Sequence, residues 1–433
     1  MAALFQRPVT LTVCPCWPRC NFTHLKITCA DRMDRKKYDF GLAGLGVMGR
    51  NFLLNVTDNG FSVCGLDVDP QKVAAFLQEA PQDRATATVN TSEFVESLSV
   101  PRKIMLLVPA GVLVDQVIAE LLPLLQPGDL IIDGGNSFFT DTDRREAMLA
   151  KKGLLFMGTG VSGGEKGARF GPSIMPGGSR AAWNLARPVL EAVAAKANGH
   201  PCVAWLGPKS AGNYVKMVHN GIEYGLMQLI AEIWDILTRQ GGLSAEELHQ
   251  VFTRWNQGRL AGFLIEITAG ILKTTDPETG QLLLDLVLDK ARQKGTGKWT
   301  SQNAMDLGVP VPAIDAAVSM RGLSAMKAER QAAARLYGKI PPKKHANPKE
   351  LVKMAENALY AAFCITYAQG FAQLQAASEA NAYRLQLSAV ARIWQGGCII
   401  RAGMLQDFEQ ALADGNRHLL LAPGIAARLQ PTL

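Results

Sequence analysis

Residues Tyr38 to Asp67 constrain the fold most tightly. Asp39–Ala43 reads as a strand, Gly44-Leu45-Gly46-Val47-Met48-Gly49 as a G-x-G-x-x-G turn and Arg50–Asn59 as a helix. Phe61–Leu66 then reads as a second strand, ending at Asp67. The first glycine allows a tight turn, the second lets backbone approach a pyrophosphate, and the third lets helix and strand pack closely. The helix N-terminus adds free N–H groups and a dipole that favours negative charge. Set between strand and helix, with an acid after the next strand, the motif predicts a dinucleotide site. Candidate cofactor residues are therefore Gly44, Leu45, Gly46, Val47, Met48 and Gly49, with Asp67, Val68 and Asp69 at the ribose. A carboxylate there accepts from the 2′-hydroxyl of NAD and repels the 2′-phosphate of NADP. The run Asp67-Val68-Asp69-Pro70 carries no Arg, so NAD is expected over NADP, with Arg50 and Lys72 nearby as opposing charges.

The alternation continues. Ile104–Val108, Leu130–Asp133 and Leu154–Gly158 read as strands, with helices over Val112–Leu125 and Asp141–Lys152. Such repetition implies a parallel sheet with helices on both faces and ligands at the C-terminal strand ends. Loops there, Pro109-Ala110-Gly111, Gly134-Gly135-Asn136-Ser137 and Ser162-Gly163-Gly164, should line one crevice.

Beyond Pro208 the strand signal stops. Helices are predicted over Ala211–Arg239, Ala245–Trp255, Ala261–Leu272, Ala313–Tyr337, Glu350–Gln375 and Tyr383–Gln395, with a Pro- and Lys-rich loop at Lys339–Lys349. The fold class is therefore an α/β Rossmann-type domain over 38–208 followed by an all-helical domain over 209–433. Within the first long helix, Lys216, His219, Asn220, Glu223 and Tyr224 fall at i, i+3, i+4, i+7 and i+8. Those offsets share one helix face. The flanking residues are apolar, so the spacing predicts a helix buried nearly all round, with a polar site let into one side.

Composition excludes other classes. The chain has 433 residues, 48% hydrophobic and 19% charged, as expected of a globular protein of two or three domains. A net charge of +7 without a long Lys/Arg run gives no nucleic-acid footprint, and no apolar run approaches a membrane span. Residues 1–37 differ from the rest. They hold Cys14, Cys16, Cys20 and Cys29 and no acid before Asp31. C-P-C-x3-C matches no established zinc spacing, and acid-poor composition also occurs in transit peptides. A disordered extension fits best. Cys64, Cys202, Cys364 and Cys398 sit singly in apolar segments, as buried thiols in a reducing, cytoplasmic setting would.

Several motifs carry a family resemblance. G-L-G-V-M-G-R-N, I-I-D-G-G-N-S, G-V-S-G-G-E-K-G-A-R-F-G-P-S-I-M-P-G-G, V-K-M-V-H-N-G-I-E-Y-G, F-L-I-E-I-T-A-G-I-L, Q-K-G-T-G-K-W-T and W-Q-G-G-C-I-I-R run in order from Tyr38 almost to the C-terminus. In this the chain resembles the decarboxylating 6-phosphogluconate dehydrogenases of the β-hydroxyacid dehydrogenase group. The resemblance implies a homodimeric, metal-free enzyme of the pentose phosphate pathway. Such an enzyme converts 6-phosphogluconate to ribulose 5-phosphate and CO2 with reduction of NAD(P). It implies Lys216 as the base and Glu223 as the acid. It implies substrate contacts at Asn136, Ser162, Gly163, Gly164, His219, Asn220 and Tyr224, with Lys294 and Arg321 at the phosphate. Cofactor contacts extend to Val108, Pro109, Ala110 and Asn136.

Two departures from the family pattern set further expectations. NADP-using members carry Asn-Arg-Thr where this chain has Asp67-Val68-Asp69. The chain also ends at Leu433, where the family continues into further helices and a tail that reaches the partner's phosphate site. On that basis a weakened dimer, weak substrate binding and retained dinucleotide binding are expected. The alternative is a truncated, catalytically weak or silent dinucleotide-binding homologue.

Overall fold

The computed structural model describes residues 37–338, 344–416 and 418–432. The proposed extension, with its four cysteines, and residues 339–343 of the Pro/Lys-rich loop lie outside the described residues.

Seven strands form one sheet in the order β3-β2-β1-β4-β5-β6-β7. They are β1 (Phe40–Ala43), β2 (Val63–Leu66), β3 (Ala85–Thr88), β4 (Lys103–Leu106), β5 (Leu130–Asp133), β6 (Leu155–Ser162) and β7 (Ser173–Pro176). The first six run parallel. β7 pairs antiparallel with β6, Ser162 opposite Ser173, so the sheet is mixed where an all-parallel one was expected. This pairing also carries β6 past Gly158 to Ser162, because Gly160 and Val161 find backbone partners in β7. β1, β2 and β5 are buried at every position, as strands covered on both faces must be.

The helices around the sheet are α1 (Val47–Asp58), α2 (Pro70–Glu79), α3 (Thr91–Ser97), α4 (Val112–Leu121), α5 (Phe139–Ala150), α6 (Gly164–Phe170) and α7 (Arg180–Val193). Because β2 lies on one side of β1 and β4 on the other, the chain reverses direction between β1 and β4. Ligand crevices open at such switch points. Asp129, fully buried, ties the entries of β4 and β5 together. It accepts from the Arg102 backbone N–H, the Arg102 guanidinium and the Gln126 N–H at 2.8, 2.8 and 3.0 Å.

After a small hairpin of β8 (Lys196–Ala197) and β9 (His200–Pro201), the chain is helical. Its helices are α8 (Ala211–Arg239), α9 (Ala245–Trp255), α10 (Phe263–Ile271), α11 (Leu283–Leu286), α12 (Thr296–Asp306), α13 (Pro312–Ala325), α14 (Lys327–Tyr337), α15 (Pro348–Asn381), α16 (Leu387–Ile393), α17 (Met404–Ala413) and α18 (Pro423–Leu429). The predicted helix over 313–337 is two helices. Met326 leaves the helical region at φ −83, ψ 54, and the Arg330 guanidinium holds the bend by donating to the Ser324 and Asp289 carbonyls. α8 is the axis of this half. Every residue from Ala211 to Ile222 is buried, between the sheet on one side and α12 and α15 on the other. Close approach depends on small residues. A Cβ on Gly221 would come within 2.5 Å of Thr300, and one on Gly370 within 2.5 Å of Ile222.

Asp129→Ala would leave Arg102 without its buried partner and two N–H groups unsatisfied. The expected cost is about 3–5 kcal/mol of stability, read from urea unfolding. A loss below about 1 kcal/mol, the range of an exposed pair, would show that the strand entries do not depend on it.

Candidate active site

The glycine turn after β1 is shaped by its surroundings. Gly44 has φ +102, and a Cβ there would meet the Leu107 carbonyl at 2.6 Å. A Cβ on Gly49 would lie 1.8 Å from the Gly44 carbonyl oxygen. α1 begins at Gly46 with no side-chain cap, which leaves its first N–H groups for a ligand. The donor set and the bare backbone therefore fit a dinucleotide pyrophosphate. Val108 is half-buried after β4, while Pro109 and Ala110 are exposed. Asn136 is exposed after β5, and the neighbouring Gly135 carbonyl accepts from Asn213 Nδ2 of α8 at 3.2 Å.

Asp67 is buried at the end of β2. Its Oδ2 accepts from the Leu45 N–H at 2.8 Å and its Oδ1 from the Asp69 N–H at 2.9 Å, with Lys72 Nζ 3.5 Å from Oδ1. The carboxylate thus braces the glycine turn. Val68 beyond it is exposed, and Asp69 caps α2 through the Gln71 N–H.

α8 crosses the C-terminal end of β6 and brings the polar stripe to the Ser162 turn. Gly160 makes the approach possible, since a Cβ there would lie 2.3 Å from Lys216 Cβ. Gly163 turns the chain at φ +115, and its would-be Cβ faces the Gly397 carbonyl at 2.5 Å. Lys216 and His219 are buried. Lys216 Nζ lies 3.5 Å from His219 Nδ1, and His219 Nε2 lies 3.2 Å from Ser162 Oγ. Asn220 Nδ2 donates to Thr296 Oγ1 at 3.1 Å, which turns its Oδ1 toward His219 Nδ1 at 3.1 Å. That orientation assigns the ring proton to Nδ1 and leaves Nε2 to accept from Ser162. Glu223 Oε2 sits 3.9 Å from His219 Nδ1, one helical turn on.

Burial sets the charges. It lowers the Lys216 amine, with the Glu223 and Cys398 charges opposing. It holds His219 well below the usual imidazole value, helped by Lys216, so the ring is neutral. It raises the Glu223 carboxyl, against Lys216 and Arg321. The titration ranges of Lys216 and Glu223 therefore move toward each other.

Tyr224 lies under Arg321, whose guanidinium carbon is 3.6 Å from the ring centroid. Arg321 also donates to the Arg292 carbonyl at 2.7 Å, which fastens the segment carrying the exposed Lys294. Three neighbours were not legible as site residues in the sequence. Thr296 orients Asn220, Trp394 meets the His219 ring edge-on at 5.6 Å, and Cys398 faces Lys216 as a buried thiol pushed up to about 12. They stand far along the chain from the stripe, and no spacing links them to it. Among the described residues, no three His, Cys, Asp or Glu side chains cluster as metal ligands, and no helix is long and apolar enough to cross a membrane.

Comparison with known proteins bears on these features. Residues 39–207 match the family model for the NAD binding domain of 6-phosphogluconate dehydrogenase, and 212–433 match that for its C-terminal domain. The NADP(+)-dependent, decarboxylating 6-phosphogluconate dehydrogenase of Bacillus subtilis is 52% identical over 376 residues, 87% of this chain and 80% of that protein. Decarboxylating enzyme 1 of Saccharomyces cerevisiae is 50% identical over 86% of this chain and 77% of its own. The Plasmodium falciparum 6-phosphogluconate dehydrogenase structure, solved with its cofactor NADP+ and with 6-phosphogluconate, superposes with a TM-score of 0.87. It is 38% identical, over 91% of this chain and 86% of that one. The NADP(+)-dependent Bacillus subtilis enzyme and the Plasmodium falciparum enzyme with its cofactor NADP+ overturn the expectation of NAD over NADP. The physical reason lies in Asp67, whose oxygens are engaged by two backbone N–H groups and flanked by the Lys72 ammonium. It is not a free acceptor awaiting a ribose.

Gly160→Ala should force α8 away from β6, because Lys216 Cβ is fixed by the helix backbone. Overpacking of this kind costs about 1–3 kcal/mol, read as a lower urea midpoint. An unchanged midpoint would mean the α8–β6 contact yields freely.

Proposed function

The chain belongs to the 6-phosphogluconate dehydrogenase family, and from its polar stripe we infer how the reaction runs on its own residues. It is an NADP-dependent oxidoreductase that converts 6-phosphogluconate to ribulose 5-phosphate and CO2. The observation that carries the residue-level reading is the run Lys216, His219, Asn220, Glu223, its first three members buried, held against Ser162.

The dinucleotide supplies the hydride acceptor. Lys216, its amine favoured in the neutral form by burial, takes the proton of the substrate's 3-hydroxyl as the hydride leaves C3. The resulting ammonium then stands beside the new C3 oxygen and stabilises the enolate that forms as the C1 carboxylate departs as CO2. Glu223, its carboxyl raised by burial, returns a proton to C1 of the enediol. Neutral His219 fixes the Ser162 hydroxyl, and Asn136, Gly163, Gly164 and Asn220 hold the substrate's polar edge. Tyr224, stacked under Arg321, contacts the substrate, and Lys294 and Arg321 receive its phosphate, as their charges suit. Gly44 to Gly49 and Val108, Pro109 and Ala110 hold the dinucleotide, with Lys72 the cation nearest the ribose-end acid. Residues 38–208 act as the dinucleotide domain, and 209–433 as the substrate and homodimer domain. The four buried free thiols Cys64, Cys202, Cys364 and Cys398 support a cytoplasmic location.

Lys216→Met should lower kcat by at least about 100-fold, whereas Glu223→Gln should slow the steps after hydride transfer. Near-normal turnover of Lys216→Met would remove it as the base. The pH profile follows from the two shifts. Activity needs Lys216 unprotonated, so it rises with pH through that group's lowered pKa. It needs Glu223 protonated, so it falls as pH passes that group's raised pKa. Glu223→Gln should therefore lose one limb of the profile, and retention of both limbs would reassign the acid. Lys72→Ala should weaken NADP+ binding roughly tenfold or more, as loss of a hydrogen bond to a charged group does. Unchanged affinity by calorimetry would show that Lys72 takes no part.

A further inference from the structure

Arg145 on α5 is fully buried, yet none of the roles above uses it. A guanidinium has five N–H donors in one plane, and here each meets an acceptor. Nε and Nη2 form a two-pronged bond to Asp115 on the first turn of α4, at 2.9 and 3.0 Å. Nη2 also donates to the Gly111 carbonyl at 2.9 Å, in the loop after β4. Nη1 donates to Asp133 Oδ2 at 3.3 Å and Ser137 Oγ at 3.2 Å, at both ends of the loop after β5. Asp133 in turn accepts from Ser137 Oγ at 2.7 Å and from the Gly135 N–H at 3.1 Å. One planar group therefore joins two crevice loops that share no sequence neighbourhood. One of them is read above as holding the cofactor, and the other, through Asn136, the substrate.

We infer that Arg145 is a positioning residue that fixes the spacing between these two loops, and with it the distance over which hydride passes. The inference rests on the loop assignments proposed above. The Gly134 N–H joins the loop entries by donating to the Leu106 carbonyl at 2.9 Å, but among the described residues no other side chain hydrogen-bonds to both loops. Asn213 anchors the second loop to α8, through the Gly135 carbonyl, but does not reach the first. A lysine at 145 would keep the charge but lose the planar fork, so it could not satisfy both loops at once.

The test uses the full chain, its Arg145→Lys variant and its Asp115→Asn variant, which keeps Arg145 but weakens the fork from outside the crevice. Three quantities are compared: the deuterium isotope effect on kcat with C3-deuterated 6-phosphogluconate, the NADP+ dissociation constant, and backbone hydrogen exchange. Misplacement by an ångström can cost about 100-fold in rate. Arg145→Lys should therefore lower kcat by about that factor and raise the isotope effect, with NADP+ affinity within about threefold of the parent. Faster exchange should be confined to residues 107–111 and 134–138. Asp115→Asn should show the same pattern at about tenfold, and it decides the matter if Arg145→Lys does not fold. Rates within about twofold of the parent with an unchanged isotope effect would overturn the inference, as would exchange accelerated throughout the sheet. A parent chain that fails to turn over 6-phosphogluconate would count against the function. The exchange pattern would still decide on Arg145.

Discussion

The site depends on one amine held away from water. Lys216 lies on a helix buried on every side from Ala211 to Ile222, pressed onto β6 where Gly160 leaves no side chain between them. A buried ammonium is costly, and the Glu223 and Cys398 charges offset that cost in part, although burial itself tends to protonate Glu223. The same exclusion of water that lowers the amine raises Glu223, so one structural fact sets both ends of the proposed acid–base pair. At neutral pH this enlarges the fraction of molecules with a free amine and a protonated acid together.

Such a stripe works only if its neighbours are fixed, and the fold fixes them by satisfying buried polar groups across long sequence distances. Thr296 at the head of α12 orients Asn220, which orients His219, which reaches Ser162 at the end of β6. Gln373 of α15 closes the far side by donating to the Thr300 carbonyl, while Thr300 Oγ1 donates to the Met217 carbonyl of α8. Sheet and helices are thereby coupled through the faces of α8 that do not carry chemistry.

Much of this was legible in the chain. Periodicity marked α8 and α9 to their terminal residues and grouped Lys216, His219, Asn220 and Glu223 on one face. The strand–glycine–helix run located β1, its glycine turn and α1. What failed was whatever depends on a partner. Asp67 showed its charge in the sequence but not the two backbone donors that occupy it, so the cofactor expectation erred. β7 was invisible because G-P-S-I-M-P-G-G reads as turn chemistry until β6 offers it an edge. The break at Met326 has no Gly or Pro to announce it and is set by Arg330. Nothing within the predicted Asp141–Lys152 helix singles out Arg145, because its acceptors lie 30 and 12 positions away.

Burial keeps the Lys216 amine poised to lose its proton. The most direct measurement is a 15N NMR titration of the chain labelled at lysine Nζ, with Lys216→Arg to assign the signal. The expected result is a Lys216 resonance that titrates clearly below the other lysine signals. A Lys216 signal that titrates together with the surface lysines would contradict it.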